Sequence, residues 1–166
     1  MEKINREMGQ SLLALENLLT KVDPTDINKI PFEGSWTAGE LVQHLILSNG
    51  GFVEVVNGSA TETSRPADMK ISEIRDIFLN FGVKFDSPEF ICPEKKDYDK
   101  LLQLNELRRI RAELGKAIQT LDLTKTCNSF ELPGMGYLTR MEAMYFVLYH
   151  TQRHTRQLEN IYSNLV

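Results

Sequence analysis

With 166 residues, 42% of them hydrophobic and 25% charged, the chain has the balance of a single soluble domain that buries its own core. The net charge of −4 excludes a general nucleic-acid-binding protein, because such proteins need a basic surface to displace counterions. No apolar run approaches the roughly 18 residues needed to span a bilayer, and the charged N-terminus lacks the apolar core of a secretion signal.

The first two predicted elements are helices. Leucines recur at helical spacing over residues 2–21, and Pro24 ends this pattern. The second helix begins at Thr37, where Thr37-Ala38-Gly39-Glu40 matches a capping box. We expect Trp36, just before this cap, to pack as a hydrophobic staple rather than against a ligand.

The Asn49-Gly50-Gly51 tripeptide complicates the second helix. It is typical of a turn, and each glycine costs about 1 kcal/mol inside a helix. The helix therefore either stops near Ser48 or continues to about Asn57. We favour continuation because the apolar stripe resumes in phase at Phe52, and the glycines would then mark close approach by a neighbouring helix or a ligand.

Residues 58–97 form the least regular part of the sequence. Ile71 to Phe81 has the pattern of a short amphipathic helix, while the segments on either side of it are irregular. A connection this long in a compact domain is usually functional or mobile.

Two further long helices follow. One covers roughly 98–120, with leucines from Leu101 onward on its inward face, and the other opens at the capping box Thr139-Arg140-Met141-Glu142 and ends at about Asn164. Residues 132–137 predict a tight structured loop, and regular strands are hard to place. The predicted fold class is all-α: one domain over 1–166, a four-helix bundle with a long, partly irregular connection between its second and third long helices.

All three histidines fall on the inward faces of these helices. In the last helix, His150 and His154 are one turn apart within the apolar stripe that includes Val147 and Leu158. In the second helix, His44 is in phase with the buried side. If these two helices run antiparallel, His44 lies at the same height as the pair.

Three inward histidines at one height are candidate metal ligands. A single buried imidazole is most often satisfied by a hydroxyl or a backbone carbonyl. Three imidazoles that point into one interior are harder to satisfy separately, whereas one divalent ion accepts all three lone pairs. His44, His150 and His154 are therefore the predicted metal ligands, and the alternative is a structural bundle whose histidines pack without an ion.

The motifs around these histidines resemble a known family. Trp36-Thr37-Ala38-Gly39-Glu40, followed by His44-Leu45, resembles the second helix of the DinB-like (YfiT-like) helical bundles. Leu132-Pro133 through Gly136-Tyr137-Leu138-Thr139, and then His150-Thr-Gln-Arg-His154 with Gln157-Leu158, resemble the last helix of that family. The similarity covers nearly the whole chain in order and length, although residues 58–97 match only loosely.

This resemblance implies an up-down-down-up four-helix bundle that binds a divalent metal ion through His44, His150 and His154. Nickel or zinc is typical of the family, and iron is a further candidate. Many members are homodimers, and characterised relatives include S-transferases and isomerases that use low-molecular-weight thiols. Members often carry an acidic residue about a turn after the first histidine, where this chain has Ser48 and Asn49.

Two reactions suit three imidazoles on an ion that keeps an open coordination position. The ion could activate water for hydrolysis or present a thiolate to an electrophilic small molecule. The HExxH arrangement of metalloproteases is absent, because Thr151 and Gln152 follow His150, and no carboxylate is placed as an obvious general base. These observations favour a thiol S-transferase over a hydrolase. A non-catalytic binding or stress-response module with the same bundle is the remaining alternative.

Other polar residues are weaker candidates for the site. Gln157 could accept from a ligand N–H, and Arg153 and Arg156 could bind an anionic substrate group, although solvent exposure is the commoner role for each. Cys92 and Cys127 form no CxxC motif and have no activating neighbour in the sequence. This predicts inert, reduced thiols and a cytoplasmic protein.

Overall fold

The computed structural model describes all residues, 1–166, and is mostly helical. The elements follow in this order: α1 (Glu2–Lys21), α2 (Ala38–Asn57), β1 (Ala60–Thr61), α3 (Ile71–Phe78), a 3-10 turn (Glu89–Ile91), α4 (Lys100–Thr120), β2 (Thr126–Leu132), β3 (Gly136–Thr139) and α5 (Arg140–Leu165). The four long helices match the predicted ones within about two residues at each end. The sequence pattern suggested that the short helix α3 ends at Phe81, but in the structure it ends at Phe78.

Helices α2 and α5, which carry the histidines, run antiparallel. Near one end of the pair the Phe52 and Phe146 rings are 4.6 Å apart, and further along the His44 and His154 rings are 4.7 Å apart. Both helices begin at the predicted capping boxes, in which Thr37 and Thr139 each accept a hydrogen bond from the N–H three residues later. These caps fix where each helix starts, and therefore which way its histidines point.

The other two long helices complete the bundle, since α1 and α2 each pack against both α4 and α5. Helix α4 runs in the same direction as α2, because Gln103 in its first turns donates to the Gly39 carbonyl near the start of α2, at 2.8 Å. Helix α1 runs opposite to α4, since Glu16 pairs with Arg111 while the Thr20 carbonyl accepts from Lys100.

Two apolar clusters fill the interior, and the histidines lie between them. The larger surrounds Phe52, Phe146 and the start of α5, and the smaller surrounds the leucines of α1, the first half of α2 and the end of α5. Burying one such leucine fully stabilises the fold by about 1.5–3 kcal/mol. The smaller cluster consists of Leu15, Leu18, Leu19, Val22, Ile27, Ala38, Leu41, Val42, Leu45, Leu104, Leu107, Leu158 and Ile161.

Helix α2 continues through the Asn49-Gly50-Gly51 tripeptide to Asn57, as we expected. The expectation that these glycines mark close approach by a neighbouring helix is wrong, whereas close approach by a ligand stays a prediction. An added Cβ at Gly51 would meet nothing within 4 Å, and at Gly50 only the Ile110 side chain, at 3.9 Å. The close approach is at Gly39 instead, where a Cβ would lie 3.0 Å from the Asn28 side-chain oxygen.

The inward face of α4 also differs from the prediction at its start. Leu101 is 63% exposed, because the inward position in the first turns belongs to Gln103, which is 4% exposed. The amide of Gln103 reaches the Gly39 carbonyl, a partner that the apolar pattern of α4 does not reveal.

A small antiparallel sheet is the element that the all-α prediction did not contain. Strand β2 pairs with β1 on one side, with Ala60 opposite Cys127, and with β3 on the other, with Leu132 opposite Gly136. The predicted tight loop over 132–137 is the turn of the β2–β3 hairpin, where Gly134 and Gly136 have φ values of 78° and 71°. Positive φ is easily adopted only by glycine, which explains this pair of glycines.

The long connection between α2 and α4 is fastened to the start of α5. Glu142, which is fully buried, accepts two hydrogen bonds of 2.6 Å from the Arg65 guanidinium. It also accepts from the backbone N–H of Lys70 at 2.9 Å, and Thr139 donates to the Ala67 carbonyl at 2.6 Å. The irregular segment is thus held by polar contacts that its own sequence pattern does not indicate.

Candidate metal centre

The three histidines predicted as ligands meet at one point between α2 and α5. His44 and His150 are 3% and 5% exposed, and His154 is partly buried at the edge of the interior. His44 Nε2 lies 3.2 Å from the Nε2 atoms of both His150 and His154, and those two atoms are 3.0 Å apart. The three Nε2 atoms therefore form a nearly equilateral triangle.

The opposite nitrogen of each ring has its own partner. His44 Nδ1 lies 2.9 Å from the Ile91 carbonyl oxygen, which can only accept. His154 Nδ1 lies 2.9 Å from the Gln157 side-chain oxygen, and His150 Nδ1 lies 3.4 Å from the Ser48 hydroxyl.

These partners select the tautomer of the rings. An imidazole that donates from Nδ1 keeps the lone pair on Nε2, so the partners of His44 and His154 direct two lone pairs into the triangle. The Ser48 hydroxyl can accept from His150 in the same way. Hydrogen bonds to Nδ1 orient metal-ligating histidines in many proteins and raise their basicity.

The rings are neutral at physiological pH. Burial lowers the pKa of His150 well below its ordinary value, with the neighbouring His154 and His44 acting in the same direction. Burial and the nearby His44 lower the pKa of His154 to about 3, and burial lowers the pKa of His44 as well. Neutral imidazole is the form that binds metal ions.

The triangle fits a divalent transition-metal ion. Because His44 and His154 direct lone pairs into the triangle, at most one of the three Nε2 atoms carries a proton. At least one Nε2 lone pair then has no donor, which is costly inside a protein. Nitrogens bound to one ion at roughly 2.0–2.1 Å would be separated by roughly 2.9 Å at right angles and roughly 3.4 Å at tetrahedral angles. The observed separations lie between these two values, so the three residues can hold such an ion.

Aromatic rings surround the triad on several sides. The Trp36 ring lies 5.2 Å from the ring of His44, and the Phe78 and Phe146 rings lie 5.3 and 5.5 Å from that of His150. Trp36 therefore packs against a site residue, which the interpretation as a staple did not include. These apolar walls limit the access of water and strengthen electrostatic interactions inside the site.

No carboxylate hydrogen-bonds to any of the three rings. Their hydrogen-bond partners outside the triad are the Ile91 carbonyl, the Gln157 amide and the hydroxyls of Ser48 and Ser87. A divalent ion held here would keep its full charge of two, which favours an anionic further ligand.

Of the remaining polar candidates, Gln157 and Arg156 are exposed, which is their commoner role, and Arg153 is only partly exposed. Gln157 is a partner of His154, and Arg153 donates to backbone carbonyls of the connection instead of facing only water. Cys92 is exposed and Cys127 is buried, and burial raises the pKa of the Cys127 thiol, as expected for an inert one. The Ile91 carbonyl was not predicted, because a backbone group carries no sequence signal.

Comparisons with known proteins agree with this architecture. The chain is similar to YfiT from Bacillus subtilis, described as a probable metal-dependent hydrolase with an unusual four-helix bundle topology, at 16% identity and a TM-score of 0.61, covering 96% of this chain and 84% of that one. It is also similar to TT2238, a four-helix bundle protein, at 19% identity and a TM-score of 0.55, covering 96% and 98%. At these identities the likeness shows the fold alone.

Two further findings complete the comparison. A search of curated protein sequences found no match. None of the helices combines the length and the apolar character of a membrane-spanning segment. The sequence profile of the DinB superfamily matches residues 9–158, which include all three histidines and both capping boxes. With most of the chain matched, and with the helical bundle and the histidine triad in place, the protein belongs to the DinB superfamily.

Proposed function

We propose that the protein binds one divalent metal ion, nickel, zinc or iron, through the Nε2 atoms of His44, His150 and His154. The observation that carries this proposal is the triangle of Nε2 atoms 3.0–3.2 Å apart, with hydrogen-bond acceptors on the Nδ1 side of each ring. A ligand set of three neutral nitrogens leaves coordination positions for a substrate, as in catalytic rather than structural sites.

The reaction we propose is thiol transfer to an electrophilic small molecule. A divalent ion bound here would supply Lewis acidity that favours the thiolate form of a small thiol. The chain contributes three uncharged ligands, a Ser48 hydroxyl that can accept from His150 Nδ1, and aromatic walls at Trp36 and Phe78 that exclude water. Three uncharged ligands with no carboxylate on their rings would leave the ion its full charge, which favours an anionic thiolate as the further ligand and so supports thiol transfer.

A second candidate is a metal-dependent hydrolase acting on a small molecule. The observation in its favour is the likeness of the fold to YfiT, itself described as a probable metal-dependent hydrolase. If neither reaction occurs, the protein is a non-catalytic binding or stress-response module that keeps the bundle.

We also propose a bundle topology, an oligomeric state and a cellular location for the protein. The helix directions, with α2 antiparallel to α5, α4 parallel to α2 and α1 antiparallel to α4, support an up-down-down-up bundle. A homodimer is supported by Leu101 and Leu102 of α4, which are 63% and 65% exposed. The free thiols Cys92 and Cys127 support a reducing, cytoplasmic location.

Metal analysis of the purified protein tests the site. We expect near-stoichiometric nickel, zinc or iron in the wild type, and loss of it in His150→Ala. Gln152→Ala is the matched control, because Gln152 lies on the same helix and makes no hydrogen bond to the rings. Equal metal content in all three proteins would overturn the proposed ligands.

Two substrate panels test the reaction. The first combines small thiols with a generic electrophile, and the second contains esters and amides. Metal-dependent conjugation supports the transferase, and ester or amide cleavage without conjugation supports the hydrolase. Metal binding with no turnover on either panel favours the binding module.

A further inference from the structure

The connection that follows α3 and includes the 3-10 turn contacts His44 of the histidine triad. We call residues 79–92 the strap. None of its residues is buried, and three large aromatic side chains on it, Phe81, Phe85 and Phe90, are 45%, 53% and 61% exposed. A segment with few buried apolar contacts opens at a lower free-energy cost than the bundle.

The C-terminal end of the strap reaches His44. The Ile91 carbonyl lies 2.9 Å from His44 Nδ1, and the Ser87 hydroxyl lies 3.3 Å from the same atom. No other element supplies a hydrogen-bond partner to this nitrogen. The orientation of the His44 ring therefore depends on where the strap lies.

Two arginines of α5 contact the N-terminal half of the strap. The Arg156 guanidinium lies 4.3 Å from the centre of the Phe81 ring, and Arg153 supplies the hydrogen bonds. Arg153 donates to the carbonyls of Phe78 at 3.1 Å and Asn80 at 3.0 Å, and it also donates to the carbonyl of Val83. Its guanidinium lies 4.9 Å from the centre of the Phe85 ring. Arg153 has no carboxylate partner, so its hydrogen bonds go to the backbone around the strap.

Arg153 directly precedes His154, so one turn of α5 carries both a candidate ligand and the group that holds the strap. His44 and His150 are almost fully buried, and an ion or a further ligand needs a path to them. The strap is the least buried segment that contacts the triad, which makes it the easiest part of the wall to displace.

From these contacts we infer that Arg153 latches the strap over the triad, and that the closed strap positions His44 and controls how fast a metal ion enters and leaves. This inference rests on the proposed metal site. Arg153 is a positioning residue, since it acts on His44 through the backbone of the strap.

The test compares Arg153→Ala and Arg153→Lys with the wild type. Each protein is loaded with nickel, and the release of the ion to excess chelator is followed by the fluorescence of Trp36, the single tryptophan, 5.2 Å from the His44 ring. We expect release at least tenfold faster and affinity roughly 10–100-fold weaker in both variants, the range seen when a partner of a metal ligand is lost. Arg109→Ala, which removes an arginine from exposed ion pairs on α4, is the matched control.

The two variants distinguish the effect of releasing the strap from the effect of removing the positive charge of Arg153. Removing a positive charge beside a cation would by itself tighten binding, so weaker binding in Arg153→Ala points to the strap. Arg153→Lys keeps the charge but cannot bridge several carbonyls with a rigid fork, so it should behave like the alanine variant.

A second measurement needs no metal. Lys84 is exposed on the strap, and trypsin should cut after it several times faster in both Arg153 variants than in the wild type or the Arg109 control, with unchanged helix content by circular dichroism. If the wild type takes up metal and the Arg153 variants match it in release and in cleavage, the strap inference is wrong while the metal site stands. A wild type that takes up no ion overturns the proposed function itself, and faster cleavage in the variants then still reports the latch.

Discussion

Glu142 connects the start of α5 to the irregular connection, and its replacement by glutamine should destabilise the protein strongly. The carboxylate is fully buried and accepts four hydrogen bonds, two of 2.6 Å from Arg65 and two of 2.9 Å from the backbone N–H groups of Lys70 and Thr139. Glutamine keeps one acceptor oxygen and replaces the other with a donor that faces donors.

The size of the loss follows from these contacts. Removing one partner of a buried ion pair costs about 3–5 kcal/mol. The Arg65 side chain is 23% exposed and can regain some water, so we expect the lower end, a loss of about 3 kcal/mol in the free energy of unfolding. For a chain of this length the midpoint of thermal unfolding should fall by about 6–12 °C.

The assay is thermal and urea unfolding at pH 7, followed by circular dichroism, for Glu142→Gln and for Glu106→Gln as a control. Glu106 pairs with Arg109 on the exposed face of α4, where an ion pair contributes only about 0–1 kcal/mol. Equal losses in the two variants would refute the reasoning, because they would mean that burial adds nothing to the Glu142 contacts.

The stability difference between the wild type and Glu142→Gln should depend on pH, and the pKa of Glu142 gives its sign. Burial tends to raise the pKa of Glu142, but the hydrogen bonds from Arg65, Thr139 and Lys70 outweigh it and hold the pKa below its ordinary value. A lowered pKa in the folded state stabilises the protein above the unfolded value, about 4.3 for glutamate, and this stabilisation is lost as the pH falls. The gap in stability between the wild type and Glu142→Gln should therefore narrow below about pH 4.

Three further substitutions test the structure. Gly51→Ala should raise the free energy of unfolding by about 1 kcal/mol, since the added Cβ meets nothing and the helix gains propensity; a loss would show a hidden contact. Gly39→Ala should lower it by about 1–2 kcal/mol, because the Cβ would lie 3.0 Å from the Asn28 side-chain oxygen, and an unchanged urea midpoint would contradict this close packing. Ser48→Asp should tighten nickel binding by about tenfold in chelator competition, because a carboxylate accepts more strongly from His150 Nδ1, and weaker binding would argue against that hydrogen bond.

Local signals in the sequence account for the helices and for the triad. The capping boxes at Thr37 and Thr139 set where α2 and α5 begin, and from these starts the 3.6-residue period placed His44, His150 and His154 on the inward faces. Each of these inferences uses only residues within one helix. That is why they could be made before any contact between helices was known.

Contacts between distant segments were decided by the tertiary structure. The two-residue strand β1 has no pattern of its own and exists because β2 lies beside it, and Leu101 is exposed because Gln103 finds a partner on α2. The Ile91 carbonyl at His44 is a backbone group that any residue could supply. Periodicity in a sequence tells which side of a helix is buried, whereas the group that meets that side depends on how the whole chain packs.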